Sequence, residues 1–528
     1  MSKIKVQTLT KCIQGLSVFP VLLFILFLNT TSKSYGFESS HTASLKNSPY
    51  ERIIPKPSRI TFFNGDLLLS HQIKVAELDP NNNFKLEIKS FFSKVWKRGP
   101  LRFTPSSLKT AQLILKFNSK MKSDEAYKLE IKDKIIIQAK TVEGLFRGLT
   151  SLKQLIAPEL RKRNAKFKLR HQIIDDQAKH SWRGVMVDVS RHFFPIQYLF
   201  DLVDRMAYYK INRLHLHLSD DQGFRIEIKK HPNLTKYGST SQIGGKPGGY
   251  YTQKQYKALV KYAQDRHIVV IPEVDMPGHV YAALASVPEL NCKGFTNIKP
   301  HNSEKNPPRP PELYTGIGVG WNGLCLTKKE SFDFATDVIT ELAELTPGPW
   351  IHIGGDEIKD TNYIKFIHHA DSIIHLQGKI TIGWEEVLQA NLHKNTIAQI
   401  WKRKSHGKGR NLAIKHQAPV ILSQCEYFYL DHANVEGQPR TMDWCAKDVT
   451  LRDLYTYKEN PQLNTLGFES PVWTEFVDSE AELDNRLFPR LLALSERSWS
   501  QNLDFINFEE RLKSHHFDMT EMGIHFYK

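Results

Sequence analysis

The chain has 528 residues, 41% of them hydrophobic and 24% charged, with a formal net charge of +16. That length exceeds one ordinary core and points to a small domain joined to a barrel-sized one, and the composition excludes wholesale disorder. The basic residues are scattered, with short clusters such as Leu160-Arg161-Lys162-Arg163 and no aromatic-interleaved stripe, so the charge reads as a solvated surface and not as a nucleic-acid site.

Taken from the start, Lys3, Lys5 and Lys11 precede an apolar run over 16–28 and a polar Asn29-Thr30-Thr31-Ser32 stretch. This is the pattern of an export signal, or of an uncleaved N-terminal anchor, over 1–36. An exported protein is expected, whether periplasmic, secreted or held at the cell surface. Cys12 would leave with the leader. Cys292, Cys325, Cys425 and Cys445 remain, without the CxxC spacing of a zinc site. In an oxidising compartment Cys292 and Cys325 can pair, but spacing leaves the connectivity open.

A small α+β domain is expected over 50–170. Strands are predicted over 54–60 and 65–69 around a turn, then at 113–115, 127–131 and 135–139, the last two forming a hairpin through Lys132-Asp133-Lys134. A helix over 142–156 follows, with Leu145, Leu149, Leu152 and Ile156 at helical spacing. The basic segment 160–179 reads as a linker. Over 180–528 short apolar runs alternate with amphipathic helices. The runs are 184–188, 214–218, 268–272, 350–353, 380–384, 397–401, 419–423 and 466–473; helices are predicted at 197–210, 252–266, 328–345 and 363–376. Eight strands alternating with helices predict a (β/α)8 TIM barrel. A doubly wound open sheet is the runner-up, but Ser190-Arg191-His192-Phe193 is no phosphate-binding glycine loop.

Such barrels carry their sites at the C-terminal ends of the strands. Here those ends hold Arg191; Asp220 and Asp221; Glu273, Asp275 and His279; Asp356 and Glu357; Trp384; Trp401; Tyr429 and Asp431; and Trp473 with Glu475. Gly354 and Gly355 break the fourth strand just before its two adjacent carboxylates and allow a sharp turn. Tryptophans with carboxylates and an arginine at one mouth suit a carbohydrate: the rings stack on its C–H face and the polar groups bind its hydroxyls. The rival chemistry is a metal-dependent barrel hydrolase, with His215 and His217 on one strand face and Asp220, His279 and His352 completing a shell. A non-catalytic glycan-binding protein would keep the tryptophans but have little use for Asp356-Glu357.

The motifs His352-Ile353-Gly354-Gly355-Asp356-Glu357, Asp188-Val189-Ser190-Arg191-His192, His215-Leu216-His217-Leu218-Ser219-Asp220-Asp221, Pro272-Glu273-Val274-Asp275-Met276-Pro277-Gly278-His279 and Trp473-Thr474-Glu475 resemble those of glycoside hydrolase family 20, the exo-acting β-N-acetylhexosaminidases. The resemblance covers nearly the whole chain after the leader and implies a small α+β domain ahead of the barrel. It implies hydrolysis of terminal N-acetylglucosamine or N-acetylgalactosamine with retention, and an N-acetylhexosamine-terminated glycan as partner. No metal or cofactor is implied, and membrane contact only through an uncleaved leader. By the same resemblance Glu357 is the general acid, with a raised pKa, and Asp356 orients the substrate's acetamido group as internal nucleophile. His279 and Asp220 form a relay to the acid, and Tyr429 donates to the acetamido oxygen. Arg191, Asp431 and Glu475 bind hydroxyls, while Trp384, Trp401 and Trp473 box the acetamido methyl. The chain departs from the pattern in a short loop between Glu357 and Ile380 and in Phe468-Glu469-Ser470-Pro471 ahead of Trp473.

Overall fold

The structure, a computed structural model, describes residues 52–79, 86–96, 99–403 and 405–527; the expected leader over 1–36 lies outside them. The first strands are β1 (Arg59–Ser70), β2 (Gln72–Leu78), β3 (Arg102–Pro105), β4 (Leu113–Phe117), β5 (Tyr127–Ile131), β6 (Ile135–Ala139) and β7 (Lys166–Asp176). They form one sheet in the order β1-β7-β5-β6-β4-β2-β3. In β4, β5 and β6 every second residue is buried, and that face is covered by the helix Val142–Arg161. Thr141 caps the helix by accepting from the Gly144 amide, and Leu145, Leu149, Leu152 and Ile156 supply its buried stripe. At Gly148 helix and sheet are in close contact: a methyl group there would stand 2.5 Å from Ile137 Cγ2.

Two expectations fail here. The segment 54–69 is not two strands around a turn; β1 runs on past Asn64-Gly65, where the register with β7 shifts in a bulge and Gly65 takes φ +100°. Nor is 160–179 a linker. The helix continues to Arg161, and β7 pairs antiparallel with both β1 and β5. Its buried residues Phe167 and Leu169, then Gln172, Ile174 and Asp176, change phase midway, opposite the bulge in β1, and a glutamine and an aspartate among them further break the apolar pattern.

The barrel strands are β8 (Trp182–Asp188), β9 (Arg213–His217), a two-residue hairpin pair β10 (Ser219–Asp220) and β11 (Gly223–Phe224), then β12 (Val269–Glu273), β13 (Trp350–His352), β14 (Ile380–Trp384), β15 (Ile397–Ile400), β16 (Pro419–Leu422) and β17 (Asn464–Val472). Closure runs β12-β13-β14-β15-β16-β17-β8-β9, with every neighbour parallel, so all eight apolar runs are the barrel staves. Such strands are covered on both faces, which is why they read as short apolar runs without strict alternation.

Sheet and barrel share a buried polar seam. The Asp176 carboxylate accepts from Lys210 Nζ at 3.0 Å, Tyr127 OH at 2.6 Å and Trp499 Nε1 at 2.9 Å. Glu125 faces the fully buried Arg147 and Arg183, the latter on β8. Cys292 is bonded to Cys325 and Cys425 to Cys445. Among the described residues no helix is long and apolar enough to cross a membrane.

Candidate active site

The barrel's interior prepares the site. The barrel core is usually filled by branched apolar side chains; here His215 Nδ1 lies 2.8 Å from Glu469 Oε1 and its Nε2 3.1 Å from Glu273 Oε2. Glu273 Oε2 also meets His217 Nδ1 at 2.7 Å, and His217 Nε2 meets Asp220 Oδ2 at 2.8 Å. Burial would strip both imidazoles of their protons, but the carboxylates outweigh it and raise His215 to about 9 and His217 to about 10. His217 is hydrogen-bonded at both nitrogens, whereas His215 is hydrogen-bonded at Nδ1 and its Nε2 has no hydrogen-bond partner. The rival metal reading would draw on His215 with Glu273 and His352, Asp220 with Asp221 and His279, or Asp275 with His279 and Asp356, each set with ligand atoms within 4.8 Å of one another; as they stand, His215, His217, Glu273 and Asp220 form a chain of ion pairs.

That chain surfaces at Asp220, which is held between His217, Arg191 Nη2 at 2.8 Å and His279 Nδ1 at 3.4 Å. Burial works to raise its pKa, but Arg191 and His279 keep it far below the usual carboxylate range. On the other side of the ring, His279 Nε2 stands 3.6 Å from Asp356 Oδ2 and 3.5 Å from Glu357 Oε2. Burial disfavours the charged imidazole, yet the Asp220 and Asp356 carboxylates hold His279 well above its ordinary value.

The two glycines ahead of Asp356 do more than turn the chain. Gly354 has φ +66°, and a methyl group on it would lie 1.8 Å from Asp275 Oδ1; that same oxygen accepts from the Gly355 amide at 3.0 Å. Tyr363 OH pins the Gly355 carbonyl at 2.6 Å. His279 and Glu357 themselves sit at φ +53° and +57°, left-handed conformations that non-glycine residues hold only where the surroundings fix them.

The carboxylates do not divide as the sequence suggests. Burial and the neighbouring Asp275 raise Asp356 well above the usual range, and burial with Glu273 beyond it lifts Asp275 itself to about 8. Glu357 moves the other way: burial opposes the shift, but the His279 imidazolium lowers it. The expectation of a raised pKa on Glu357 is not met, because the His279 imidazolium 3.5 Å away outweighs burial.

The aromatic wall closes around this group. Trp384 is buried, lies 5.9 Å from Trp473 ring to ring, and donates its Nε1 to Glu273 Oε1 at 3.0 Å. Trp473 carries the Arg191 guanidinium 4.9 Å above its ring and meets Tyr429 at 6.3 Å. Trp401 donates to Glu386 Oε2 at 3.0 Å and packs with Trp473 against Tyr429, Cys425 and Cys445. Glu475 is pushed to about 7 by burial, against Arg191 and with Asp188 and Asp431 adding to it. Asp356 Oδ1, both carboxylate oxygens of Asp431, Glu475 Oε2 and Arg191 Nε are buried without a hydrogen-bond partner in the protein. Acceptors and a donor left over among indole rings suit a polyhydroxylated ligand carrying an N–H.

The residues singled out as catalytic or substrate-binding thus lie around one mouth, whereas His215, His217 and His352 lie in the interior beneath it, His352 Nδ1 2.9 Å from Glu273 Oε1. The sequence gives no role to Glu273, Asp275, Glu386 or Glu469, and offers His217 only as a metal ligand. The spacing Glu273-Val274-Asp275 was a usable signal, because alternate strand residues share a face. For Glu386 and Glu469 no comparable signal exists.

The chain matches the family model described as glycosyl hydrolase family 20, catalytic domain, over residues 180–365 and 363–502, and that family's domain 2 over 50–177. It is 33% identical over 413 residues to a beta-N-acetylhexosaminidase of Cellulomonas fimi, covering 74% of this chain and 78% of that one. It is 30% identical over 431 residues to the human beta-hexosaminidase subunit beta, covering 76% and 71%. Among solved structures it superposes on the Streptomyces plicatus N-acetyl-beta-hexosaminidase in complex with Thio-NAglucal with a TM-score of 0.82 at 32% identity, covering 92% of this chain and 98% of that chain. The Bacteroides fragilis beta-N-acetylhexosaminidase gives 0.75 at 26%, covering 90% and 97%.

Proposed function

The chain belongs to glycosyl hydrolase family 20 and is an exo-acting β-N-acetylhexosaminidase using the substrate's own 2-acetamido group; we propose that its residues divide that work as follows. Glu357 protonates the glycosidic oxygen. The acetamido oxygen attacks the anomeric carbon from the opposite face, forming a cyclic oxazolinium as the leaving group departs. Asp356 accepts the acetamido N–H through its unpartnered Oδ1, while the proton it shares with Asp275 keeps the pair singly charged. Tyr429 donates to the acetamido oxygen, and Trp384, Trp401 and Trp473 enclose the methyl. Arg191, Asp431 and Glu475 take the ring hydroxyls. Water, deprotonated by Glu357, then opens the oxazolinium, and the configuration is retained.

One observation carries this division: a single imidazole, His279, within 3.5 to 3.6 Å of both carboxylates. An enzyme that forms a covalent sugar ester needs two carboxylates about 5–5.5 Å apart on opposite sides of the bond. A substrate carrying its own nucleophile needs a proton donor and an orienting neighbour on one strand end. His279 holds the proton in the open site as an ion pair with Glu357. A sugar that expels water disfavours that separated charge, and the proton passes to Glu357 where it is used.

Glu357→Gln is expected to lower kcat roughly 10²- to 10⁴-fold on a disaccharide substrate, the usual contribution of a general acid. A thiazoline mimic of the oxazolinium is expected to inhibit the wild-type enzyme competitively. Near-normal turnover by the variant would remove Glu357 from its role, and indifference to the thiazoline would point to a covalent route. We further propose that the protein is exported, a reading supported by the leader-like N-terminus and by two disulfides among the described residues. Fractionation of expressing cells tests it.

A further inference from the structure

The segment between Cys292 and Cys325 is tied at its base by their disulfide and folds back over the acid side of the site. Gly320 of this segment, at φ +76°, lies beside the acid. A methyl group on Gly320 would lie 3.3 Å from Glu357 Oε2 and 3.6 Å from both Cε1 and Nε2 of His301. The acid and this imidazole therefore face the same small space, and Glu357, the more exposed of the two adjacent carboxylates, opens toward it.

His301 is held in one orientation. Its Nδ1 accepts from the Ser303 amide at 3.3 Å and lies 3.1 Å from Ser303 Oγ. A backbone N–H can only donate, so Nδ1 keeps its lone pair and the ring proton of the neutral imidazole sits on Nε2, the nitrogen nearest Gly320. Ser303 is fixed in turn: its Oγ donates to the Val319 carbonyl at 2.7 Å and accepts from the Val319 amide at 3.1 Å. The two limbs of the loop are thus stitched together one residue before Gly320.

Given Glu357 as the acid, a role this inference rests on, whatever is bonded to the glycosidic oxygen occupies the space beside its carboxyl group. We infer that His301 is a binding residue for that leaving group, donating Nε2–H to a hydroxyl of the sugar released. The preferred substrate class is then an N-acetylhexosamine linked to another sugar, in preference to one linked to a flat aryl group without hydroxyls near the bond.

The test compares kcat/KM for N,N′-diacetylchitobiose with that for 4-nitrophenyl N-acetyl-β-glucosaminide in the wild type, His301→Ala and His301→Gln, with thermal unfolding as a check on folding. The disaccharide-to-aryl ratio is expected to fall roughly 3- to 10-fold in His301→Ala, the size of one hydrogen bond to a neutral hydroxyl. His301→Gln, which keeps an N–H donor, is expected to recover a good part of that loss. A ratio in His301→Ala within about twofold of wild type, below the effect of one such bond, overturns the inference, as does a glutamine variant no better than alanine. A wild type that cleaves neither substrate would instead strike at the role given to Glu357.

Discussion

Asp356 and Glu357 are neighbours in sequence, yet their surroundings drive them apart, one held toward its neutral form and the other toward its charge. The agent is His279, whose positive charge is fed by Asp220 behind it. This has a measurable sign. While the imidazolium persists, the His279–Glu357 pair keeps one proton to high pH, so the alkaline limb of kcat/KM lies where that pair loses it. In His279→Asn the proton must reside on Glu357 alone, and a carboxyl group releases it earlier. The alkaline limb is expected to move to lower pH, beyond any fall in the maximum. An unmoved limb in an active variant would mean that His279 does not hold the proton.

Among the elements, β9, β12 and β17 set this barrel apart, because they bring His215, His217, Glu273 and Glu469 into its interior. Those charges link stability to pH with a definite direction. Both histidines have folded-state pKa values raised above an unfolded value of about 6.5, so their contribution is whole below about pH 6.5 and is lost as pH rises toward about 9 to 10. Glu273 and Glu469 are depressed, burial opposing and the histidines prevailing; their contribution is present above the ordinary carboxylate range and is lost on acidification. Tm is expected to be highest near pH 5–6.5 and to fall steadily to pH 9, with protons released on unfolding at pH 8. Calorimetry in buffers of different ionisation enthalpy reads that release directly, and proton uptake would contradict the assignment. A second test lies where the sheet meets β8. Glu125→Ala leaves Arg183 and Arg147 buried with less counter-charge, Arg147 keeping Glu143 at 2.8 Å. A loss of about 3 kcal/mol is expected in denaturant unfolding, at the low end for breaking a buried pair.

At the scale of the whole molecule, the sheet unit is a cover for the barrel as much as a domain of its own. Lys210 and Trp499, both fully buried, find their acceptor in Asp176 at the end of β7, and Arg511 reaches the Ile53 carbonyl at 2.9 Å. A barrel expressed from residue 178 onward would strand these groups, and a buried charge without its partner is strongly destabilising. The fragment is expected to be insoluble or molten, by soluble yield and near-UV circular dichroism, whereas the intact chain unfolds in one transition. A well-folded barrel fragment would show that the seam is dispensable.

The sequence by itself determined the barrel and the membership of its mouth. Strands covered on both faces must be short apolar runs, and a barrel of this kind binds at the C-terminal ends of its strands. That is why eight staves and the residues from Arg191 to Glu475 are legible, and why β7, in a basic segment with a buried glutamine and aspartate in its pattern, reads as a linker. What only the tertiary structure decided is the charge on each group. Whether Glu357 or Asp356 holds a proton, and whether His217 is an ion-pair partner or a ligand, depends on which charges stand within about 4 Å. Those neighbours come from other strands, at sequence distances no local pattern can span.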